Sequence, residues 1–304
     1  MNLRYAILLC AAVSLPLEAQ MMQRRGGLGQ RIERMREASR REHVVAVPAG
    51  ATALRDVAYG NDPAQHFDVY LPANARNAPV LFYVHGGGWA NGDKTNPGLE
   101  NKLAYWLPKG YAVISADYRL VPQATPLQQA QDIAHAVAIV QAHAREWKLD
   151  PERLVLMGHS AGAQLVALLG AKPALLADAG AHRPRAVVSL DSAALDVPKI
   201  MSATRVPKIY SDAFGNNREA WRAASPADQL GRAALPMLLV CSSERQVPAS
   251  PCDEARAFAG KAATFGVTLQ VLPEPMQHGE INHDLGLPSA YTTAVAQYID
   301  AHMR

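Results

Sequence analysis

The sequence predicts an α/β fold built on a mostly parallel, doubly wound sheet with helices on both faces, and three observations support this prediction. Short apolar runs follow one another from residue 53 onward, and segments with helical spacing of apolar residues separate the later ones. The later runs are continuously apolar, which is typical of parallel strands that helices cover on both faces. The chain has 304 residues, of which 49% are hydrophobic, enough for one large α/β domain.

The predicted elements alternate along the chain after two opening strands. The apolar runs predict strands at 53–59, 66–71, 79–85, 111–117, 153–158, 185–191, 236–242 and 268–273. The helical spacing predicts helices at 99–108, 127–146, 161–171, 251–265 and 288–302. A longer excursion, residues 196–231, follows the sixth strand. Excursions of that length usually carry function, so we expect a small cap or a pocket wall here.

The N-terminus predicts export. Residues 1–20 carry an early positive charge at Arg4, a run of about a dozen mostly apolar residues and a small residue at Ala19, which is the pattern of a cleavable signal peptide. The apolar run is shorter than the roughly 20 residues that a stable membrane span needs. We therefore expect a secreted or periplasmic protein cleaved near Ala19, with a basic flexible tail at 21–48 and a folded domain at 49–304.

The positive charge of the chain is concentrated in this tail. Residues 21–45 hold seven arginines against three glutamates, which accounts for the whole excess in a chain of formal net charge +3. A nucleic-acid-binding domain needs a basic face of its own, and the folded domain shows no sign of one. We therefore predict no nucleic-acid partner.

The segment Gly158-His159-Ser160-Ala161-Gly162 has the pattern Gly-x-Ser-x-Gly between a predicted strand and a predicted helix. In this context the pattern places a nucleophilic serine on a sharp turn, with its hydroxyl above the sheet. Larger side chains at the two glycine positions would clash on such a turn. The helix that follows directs N–H groups at developing negative charge. We therefore predict that Ser160 is a nucleophile.

Three consecutive glycines follow the third predicted strand, in the segment 85–89 (HGGGW). Such glycines let the backbone approach a ligand closely and present N–H donors, as an oxyanion hole requires. We predict an oxyanion hole formed by the N–H groups of Gly87, Gly88 and Ala161. Trp89 either lines a substrate pocket or belongs to the core, and the sequence leaves both open.

A third motif, DYRL at 117–120, completes a recognisable set. Together with HGGGW, GHSAG and a late His-Gly pair it resembles the α/β-hydrolase superfamily, and more narrowly the hormone-sensitive-lipase-like and feruloyl-esterase-like (BD-FAE-type) carboxylesterases. The resemblance covers about residues 50–300 and implies an α/β-hydrolase fold that hydrolyses carboxylic esters without a metal or organic cofactor. In that family DYRL and the aspartate after it support the oxyanion loop, which implies structural roles for Asp117, Arg119 and Asp132.

The general base should be a histidine after the last strand, because the chain order of the family is Ser, then Asp or Glu, then His. His278, followed by Gly279, comes after that strand and matches the His-Gly position of the family. His283 is the alternative.

The acid is where this sequence departs from the family pattern. The family usually has an aspartate in the loop after the seventh strand, and here Glu244 stands in its place, which a triad tolerates. Asp191 ends the sixth predicted strand and is the second candidate, ranked slightly below Glu244. Asp196 and Asp253 are weaker candidates, more typical of helix caps.

These motifs predict a secreted serine carboxylic-ester hydrolase that acts on short-chain or phenolic esters, either small molecules or esters linked to polysaccharide. Two alternatives stay open: an arylformamidase-like amide hydrolase with the same machinery, and a catalytically silent binding module on a hydrolase scaffold.

No cysteine, histidine or carboxylate cluster has metal-ligand spacing, so we predict no metal and no cofactor. Cys10 lies in the predicted signal peptide, and whether Cys241 and Cys252 pair is left open.

Overall fold

A computed structural model of the chain describes residues 44–246 and 250–304. The predicted signal peptide at 1–20 and most of the predicted tail lie outside the described residues. One compact unit runs from Val45 to Arg304. It begins four residues before the predicted domain start at 49, because Val45 is buried and its carbonyl accepts a hydrogen bond from Arg55.

The centre of this unit is one eight-stranded sheet in the order β1-β2-β4-β3-β5-β6-β7-β8. β1 and β2 pair antiparallel, as do β2 and β4, whereas all other neighbours are parallel. The predicted mostly parallel α/β fold is therefore confirmed. The strands are β1 (Thr52–Ala58), β2 (His66–Leu71), β3 (Ala78–Val84), β4 (Ala112–Ala116), β5 (Leu149–His159), β6 (Ala186–Leu190), β7 (Met237–Ser242) and β8 (Gln270–Glu274).

β5 is longer than predicted. It begins at Leu149, where it pairs with Ala78, rather than at residue 153. Charged residues in the first part of the strand conceal it in the sequence, since a half-buried end lacks the apolar run that marks a fully buried strand.

Helices flank both faces of the sheet. The long ones are α1 (Leu99–Trp106), α2 (Pro126–Ala142), α4 (Ala161–Ala171), α10 (Pro251–Ala263) and α12 (Ala290–His302). The short ones are α3 (Ala144–Trp147), α5 (Ala174–Asp178) and α11 (His278–His283). The predicted helix 127–146 is divided into α2 and α3 at His143.

Alternate residues of each strand face two separate cores. In β3, Phe82 and Val84 join the core beneath α2, α4 and α10, whereas Leu81 and Tyr83 join the core beneath α1 and α12. This two-sided burial explains why the central strands are apolar without alternation.

The predicted excursion after the sixth strand is present. It consists of four short helices, α6 (Val197–Met201), α7 (Lys208–Phe214), α8 (Arg218–Ala223) and α9 (Pro226–Gln229). Its aromatic side chains are mostly buried and belong to the same core as Phe82 and Val84 of β3. Within the described part of the chain, no helix is both long and apolar enough to cross a bilayer.

Candidate active site

Ser160 occupies the sharp turn between β5 and α4. Its φ of 58° lies in the left-handed region, which a non-glycine residue adopts at a cost of about 1–3 kcal/mol. Its N–H donates to the carbonyl of Leu190 at the end of β6, and its side chain does not cap the helix. The turn thus leaves the Ser160 hydroxyl available beyond the carboxyl end of the sheet.

The two glycines of the motif are required by close backbone packing. A Cβ at Gly158 would lie 2.3 Å from the carbonyl oxygen of Gly162, and a Cβ at Gly162 would lie 2.4 Å from the carbonyl oxygens of Val84 and His85. Both distances are far below van der Waals contact. The physical reason given for the motif at the sequence level therefore holds at each glycine.

His278 lies at the first position of α11 and faces the serine. Its Nε2 is 3.0 Å from Ser160 Oγ. Gln277 precedes it in a capping box with Glu280, which fixes the start of the helix. The alternative base, His283, lies at the other end of α11, is exposed and contacts Asp284.

The acid beside His278 is Asp191, not Glu244. Asp191 Oδ2 lies 2.5 Å from His278 Nδ1, and the Asp191 side chain is completely buried. Glu244 is exposed and its carboxylate accepts a hydrogen bond from the Gln277 side chain. The preference for Glu244 in the sequence analysis was therefore wrong, and the second candidate is the residue that the fold brings to the histidine.

Backbone geometry at the ends of β6 and β7 accounts for this outcome. Asp191 adopts a φ of 54° directly after β6, and its Oδ1 accepts the N–H of Ser242 at the end of β7. The neighbouring strand end thus holds the carboxylate in place. The weaker candidates have other roles, since Asp196 caps α6 and Asp253 pairs with Arg256.

The carboxylate of Asp191 is kept ionised by its neighbours. Burial alone would raise the pKa of Asp191, but the hydrogen bonds from His278 and Ser242 and the positive charge of Arg245 outweigh it and lower the pKa below its ordinary value. Arg245 Nη2 lies 2.9 Å from Asp191 Oδ2. The group that orients His278 is therefore a stable anion.

The triple-glycine loop lies against the serine. A Cβ on Gly86 would stand 2.9 Å from the Cβ of Ser160. Gly87 and Gly88 adopt φ values of 120° and 61°, where a side chain is strained. In the described part of the chain neither N–H donates a hydrogen bond, and the N–H of Ala161 is at the open N-terminus of α4. These three predicted donors remain available for a ligand.

The DYRL segment packs against the start of the glycine loop. Tyr118 donates from its hydroxyl to the carbonyl of His85 and its ring stacks on the His85 ring at 4.4 Å. Asp117 accepts the N–H of Lys94 at 2.7 Å. The guanidinium of Arg119 binds both carboxylate oxygens of Asp132. These contacts are structural, as the resemblance implied.

Comparison with known proteins gives the same picture. The model of the BD-FAE family matches residues 67–250, which is more than half of the chain. This chain belongs to the BD-FAE family.

Individual relatives of this BD-FAE protein include hydrolases of two kinds. Esterase LipC of Mycobacterium tuberculosis is 29% identical over 220 residues, 67% of this chain and 53% of LipC. The kynurenine formamidase of Danio rerio is 32% identical over 181 residues, 56% of this chain and 53% of the formamidase. The alignments span between 24% and 57% of the length of such curated relatives.

Among solved structures, esterase B from Lactobacillus Rhamnosis has the same fold. It aligns with a TM-score of 0.67 at 22% identity, over 94% of this chain and 96% of that one. The α/β-hydrolase fold implied by the sequence resemblance is therefore confirmed.

Trp89 belongs to the core of this BD-FAE protein. It is 3% exposed, its Nε1 donates to Gln164 of α4, and its ring packs against Phe214 and Tyr210 of α7. The substrate-contact alternative for Trp89 is not supported, because the side chain is enclosed and its polar atom is used. Through these contacts Trp89 packs the excursion against the glycine loop.

His159 is a site residue that the sequence analysis missed. Its ring packs against the His278 ring at 4.6 Å, and its Nε2 donates to the His278 carbonyl at 2.9 Å. Burial, with the charge of His278, lowers the pKa of His159 to about 3, so the ring is neutral and can only donate from this nitrogen. Its position within the Gly-x-Ser-x-Gly motif was the available signal.

The excursion contributes an apolar side chain to the site. Ile209 of α7 is 49% exposed, and its Cδ1 would lie 2.4 Å from a Cβ on Gly88. The next residue, Tyr210, is buried, which raises the pKa of its hydroxyl. The charges of Arg245 and Asp191 also act on that hydroxyl. Helix α7 therefore extends from the glycine loop toward Asp191. This is the position expected of the pocket wall that the sequence predicted in the excursion.

The loop that carries Arg245 is closed by a disulfide between Cys241 and Cys252. The possible pairing considered from the sequence is thus formed. Among the described residues no group of three or more histidine, cysteine, aspartate or glutamate side chains could hold a metal ion.

Proposed function

We propose that this chain is a serine carboxylic-ester hydrolase whose catalytic residues are Ser160, His278 and Asp191. The observation that carries the proposal is the continuous line of contacts from Ser160 Oγ through His278 to Asp191, formed beside a glycine loop with unused N–H donors. The relation to esterase LipC and membership of the BD-FAE family support ester hydrolysis.

Each group has a definite task in the acylation step. His278 Nε2 accepts the proton of Ser160 as Oγ attacks the ester carbonyl carbon, and the buried carboxylate of Asp191 stabilises the resulting imidazolium. The oxyanion is bound by the N–H groups of Gly87, Gly88 and Ala161, each of which contributes about 3–4 kcal/mol in the transition state.

The second half of the reaction regenerates the enzyme. His278 returns the proton to the departing alcohol, which leaves an acyl group on Ser160. Water, deprotonated by His278, then attacks the acyl carbonyl, and His278 passes this proton to Ser160 Oγ as the carboxylic acid leaves.

The family and the accessibility of the site support the substrate class that we propose. Ser160 and His278 are both partly exposed, so an ester carried by a larger molecule has access to the serine. Short-chain esters and phenolic esters, free or linked to polysaccharide, are the substrates that we propose.

We also propose that the protein is exported and cleaved near Ala19. Besides the N-terminal pattern, the Cys241–Cys252 disulfide supports an oxidising compartment, since such bonds rarely persist in the cytosol. Mass spectrometry of the N-terminus of the protein from culture medium or periplasm tests this. A chain that keeps residues 1–19 in the cytosol would contradict it.

The decisive experiment on catalysis replaces the nucleophile. Ser160→Ala should lower kcat on p-nitrophenyl acetate by several orders of magnitude and abolish labelling by a fluorophosphonate probe, because no other side chain stands in its place. Ser202→Ala, at an exposed serine outside the site, is the matched control and should keep both signals. If Ser160→Ala hydrolyses the ester at the wild-type rate, the proposal is wrong.

A second candidate is amide hydrolysis of the arylformamidase kind, which the relation to the Danio rerio kynurenine formamidase favours. Both reactions pass through a tetrahedral oxyanion, so the same residues serve either. The ratio of kcat/KM on an aryl ester to that on an N-formyl arylamine separates the two. A third possibility, a silent binding module, requires that wild-type protein fails to react with the fluorophosphonate probe.

A further inference from the structure

We propose that Arg245 is a positioning residue that holds the Asp191 carboxylate and sets the pH range in which His278 can accept a proton. This inference rests on the proposed function of the site. It assigns a role to the loop after β7, which carries a cation at the Asp191 carboxylate while its own acid, Glu244, binds Gln277.

Arg245 contacts the carboxylate oxygen of Asp191 that also faces His278. Arg245 Nη2 lies 2.9 Å from Asp191 Oδ2, the same oxygen that lies 2.5 Å from His278 Nδ1. The same nitrogen is 3.4 Å from the main-chain oxygen of Asp191. The other carboxylate oxygen, Oδ1, accepts the N–H of Ser242. The carboxylate is therefore held on both oxygens, and one oxygen lies between the guanidinium and the imidazole.

The backbone that carries the guanidinium of Arg245 is held by its own loop. The N–H of Arg245 donates to Ser242 Oγ at 3.1 Å, and Ser242 Oγ donates to the carbonyl of Met276 at 2.6 Å. The Cys241–Cys252 disulfide joins the start of this loop to α10. These contacts hold the Arg245 backbone in place next to Asp191.

Arg245 competes electrostatically with a protonated His278. When His278 is protonated, one carboxylate faces two cations, and the guanidinium remains charged throughout. The imidazolium is stabilised less than it would be beside Asp191 alone, so Arg245 favours the neutral ring. Because the guanidinium is partly exposed, water weakens this effect without removing it.

Among the described residues, none of the other titratable groups near Asp191 and His278 forms an ion pair with the Asp191 carboxylate. His159 of β5 packs on His278 with its pKa lowered to about 3 by burial. Tyr210 of α7 and Tyr291 of α12 sense the charge of Asp191, and burial raises the pKa of both. Lys102 of α1 acts on His159. In the described part of the chain, Arg245 is the one arginine or lysine in an ion pair with Asp191.

The test compares two substitutions at Arg245. Arg245→Gln keeps an N–H donor but removes the charge, whereas Arg245→Lys keeps the charge. We expect the acid limb of the kcat/KM profile on p-nitrophenyl acetate to move to higher pH by about one unit in Arg245→Gln. In Arg245→Lys the limb should move by much less, even if kcat falls through poorer orientation. A profile of Arg245→Gln that superimposes on the wild-type profile overturns the proposal.

A second readout does not depend on activity. The titration midpoint of the His278 ring, followed by NMR in histidine-labelled protein, should move upward in Arg245→Gln. An upward shift in a protein without esterase activity would refute the proposed function and leave this inference standing. An active protein in which neither the midpoint nor the limb moves would refute this inference alone.

A further variant, Ser242→Ala, tests the proposal if Arg245→Gln does not fold. Ser242→Ala removes the hydroxyl that anchors the Arg245 N–H and should move both readouts in the same direction by a smaller amount. Circular dichroism shows which variants are folded. An unchanged His278 midpoint in folded Ser242→Ala, with Arg245→Gln unfolded, would count against the proposal.

Discussion

The imidazole of His159 donates from Nε2 to the main-chain oxygen of His278, at 2.9 Å. The residue immediately before the serine thus fixes the backbone of the histidine that faces the serine. Since the turn that carries Ser160 also carries His159, the end of β5 positions both residues between which we propose a proton transfer.

His159 should make the fold sensitive to acid. Its pKa is lowered to about 3 in the folded protein, mainly by burial, whereas a histidine in an unfolded chain titrates near about 6.5. Between these pH values the unfolded chain binds a proton that the folded chain does not, so this group makes the free energy of unfolding fall as pH falls, by up to about 1.4 kcal/mol per pH unit. His159→Phe should lack this part of the decline in urea unfolding.

The control for this prediction is His135→Phe, at an exposed histidine of α2. The difference in free energy of unfolding between wild type and His159→Phe should be constant above about pH 7 and shrink below it. A difference that stays constant down to about pH 4.5 would contradict the prediction, as would the same trend in His135→Phe.

The identity of the acid is tested by a pair of substitutions. Asp191→Asn should lower kcat by about a thousandfold or more, because the neutral amide neither holds the required tautomer of His278 nor stabilises imidazolium. Glu244→Gln should change kcat by less than about threefold, since the exposed Glu244 carboxylate contacts the Gln277 side chain and not His278. Steady-state kinetics on p-nitrophenyl acetate measures both. The reverse order of losses would restore Glu244 as the acid.

The completely buried Lys102 gives a second pH-dependent prediction. Its Nζ donates to Gly98 O and to both oxygens of Asn282, and burial lowers its pKa to about 7. A lysine in an unfolded chain titrates near about 10.4, so the unfolded chain holds more protons between these values and stability rises with pH there. Lys102→Met removes this dependence.

The measurement is urea unfolding from about pH 7 to pH 9.5, with Lys109→Met at an exposed lysine as the control. The free energy of unfolding of Lys102→Met minus that of wild type should be largest at the lower end of the range. It should fall by up to about 1.4 kcal/mol per pH unit as pH rises. A relative stability independent of pH would show that Lys102 keeps its charge throughout.

Ile209 should set the size of the acyl group that the site accepts. Its side chain lies on Gly88 and is half exposed, so shortening it opens space beside the oxyanion loop. In Ile209→Ala the ratio of kcat/KM on p-nitrophenyl octanoate to that on the acetate should rise by about tenfold, the lower end of what one methylene group contributes in a hydrophobic pocket. Ile209→Trp should lower the ratio.

Leu54→Ala is the matched control, because Leu54 is another half-exposed apolar residue and lies on the distant edge strand β1. It should leave the ratio unchanged. If Ile209→Ala and Leu54→Ala give the same ratio as wild type, the acyl group does not contact α7.

Ser160 could be predicted from a local residue pattern, and His278 from its order along the chain. The turn at Ser160 needs glycines on both sides, and the loop at Gly87 and Gly88 needs positive φ values, so both are visible as residue patterns. The position of His278 follows from chain order after the last strand. The long central strands were predicted within a few residues because burial on both faces leaves an apolar run, whereas the charged start of β5 was missed.

The amino-acid sequence alone thus determined the mostly parallel sheet, the serine turn and the glycine loop, since the apolar runs and glycine patterns that mark them are local. It placed His278 by its order after the last strand. Tertiary structure decided between Asp191 and Glu244, paired Cys241 with Cys252 and enclosed Trp89. The carboxyl ends of β6 and β7 are adjacent in the sheet, so either strand end could carry an acid to within reach of the histidine. Which one does is settled by the backbone turn and the hydrogen-bond donors across that edge, and these are set by residues more than fifty positions apart.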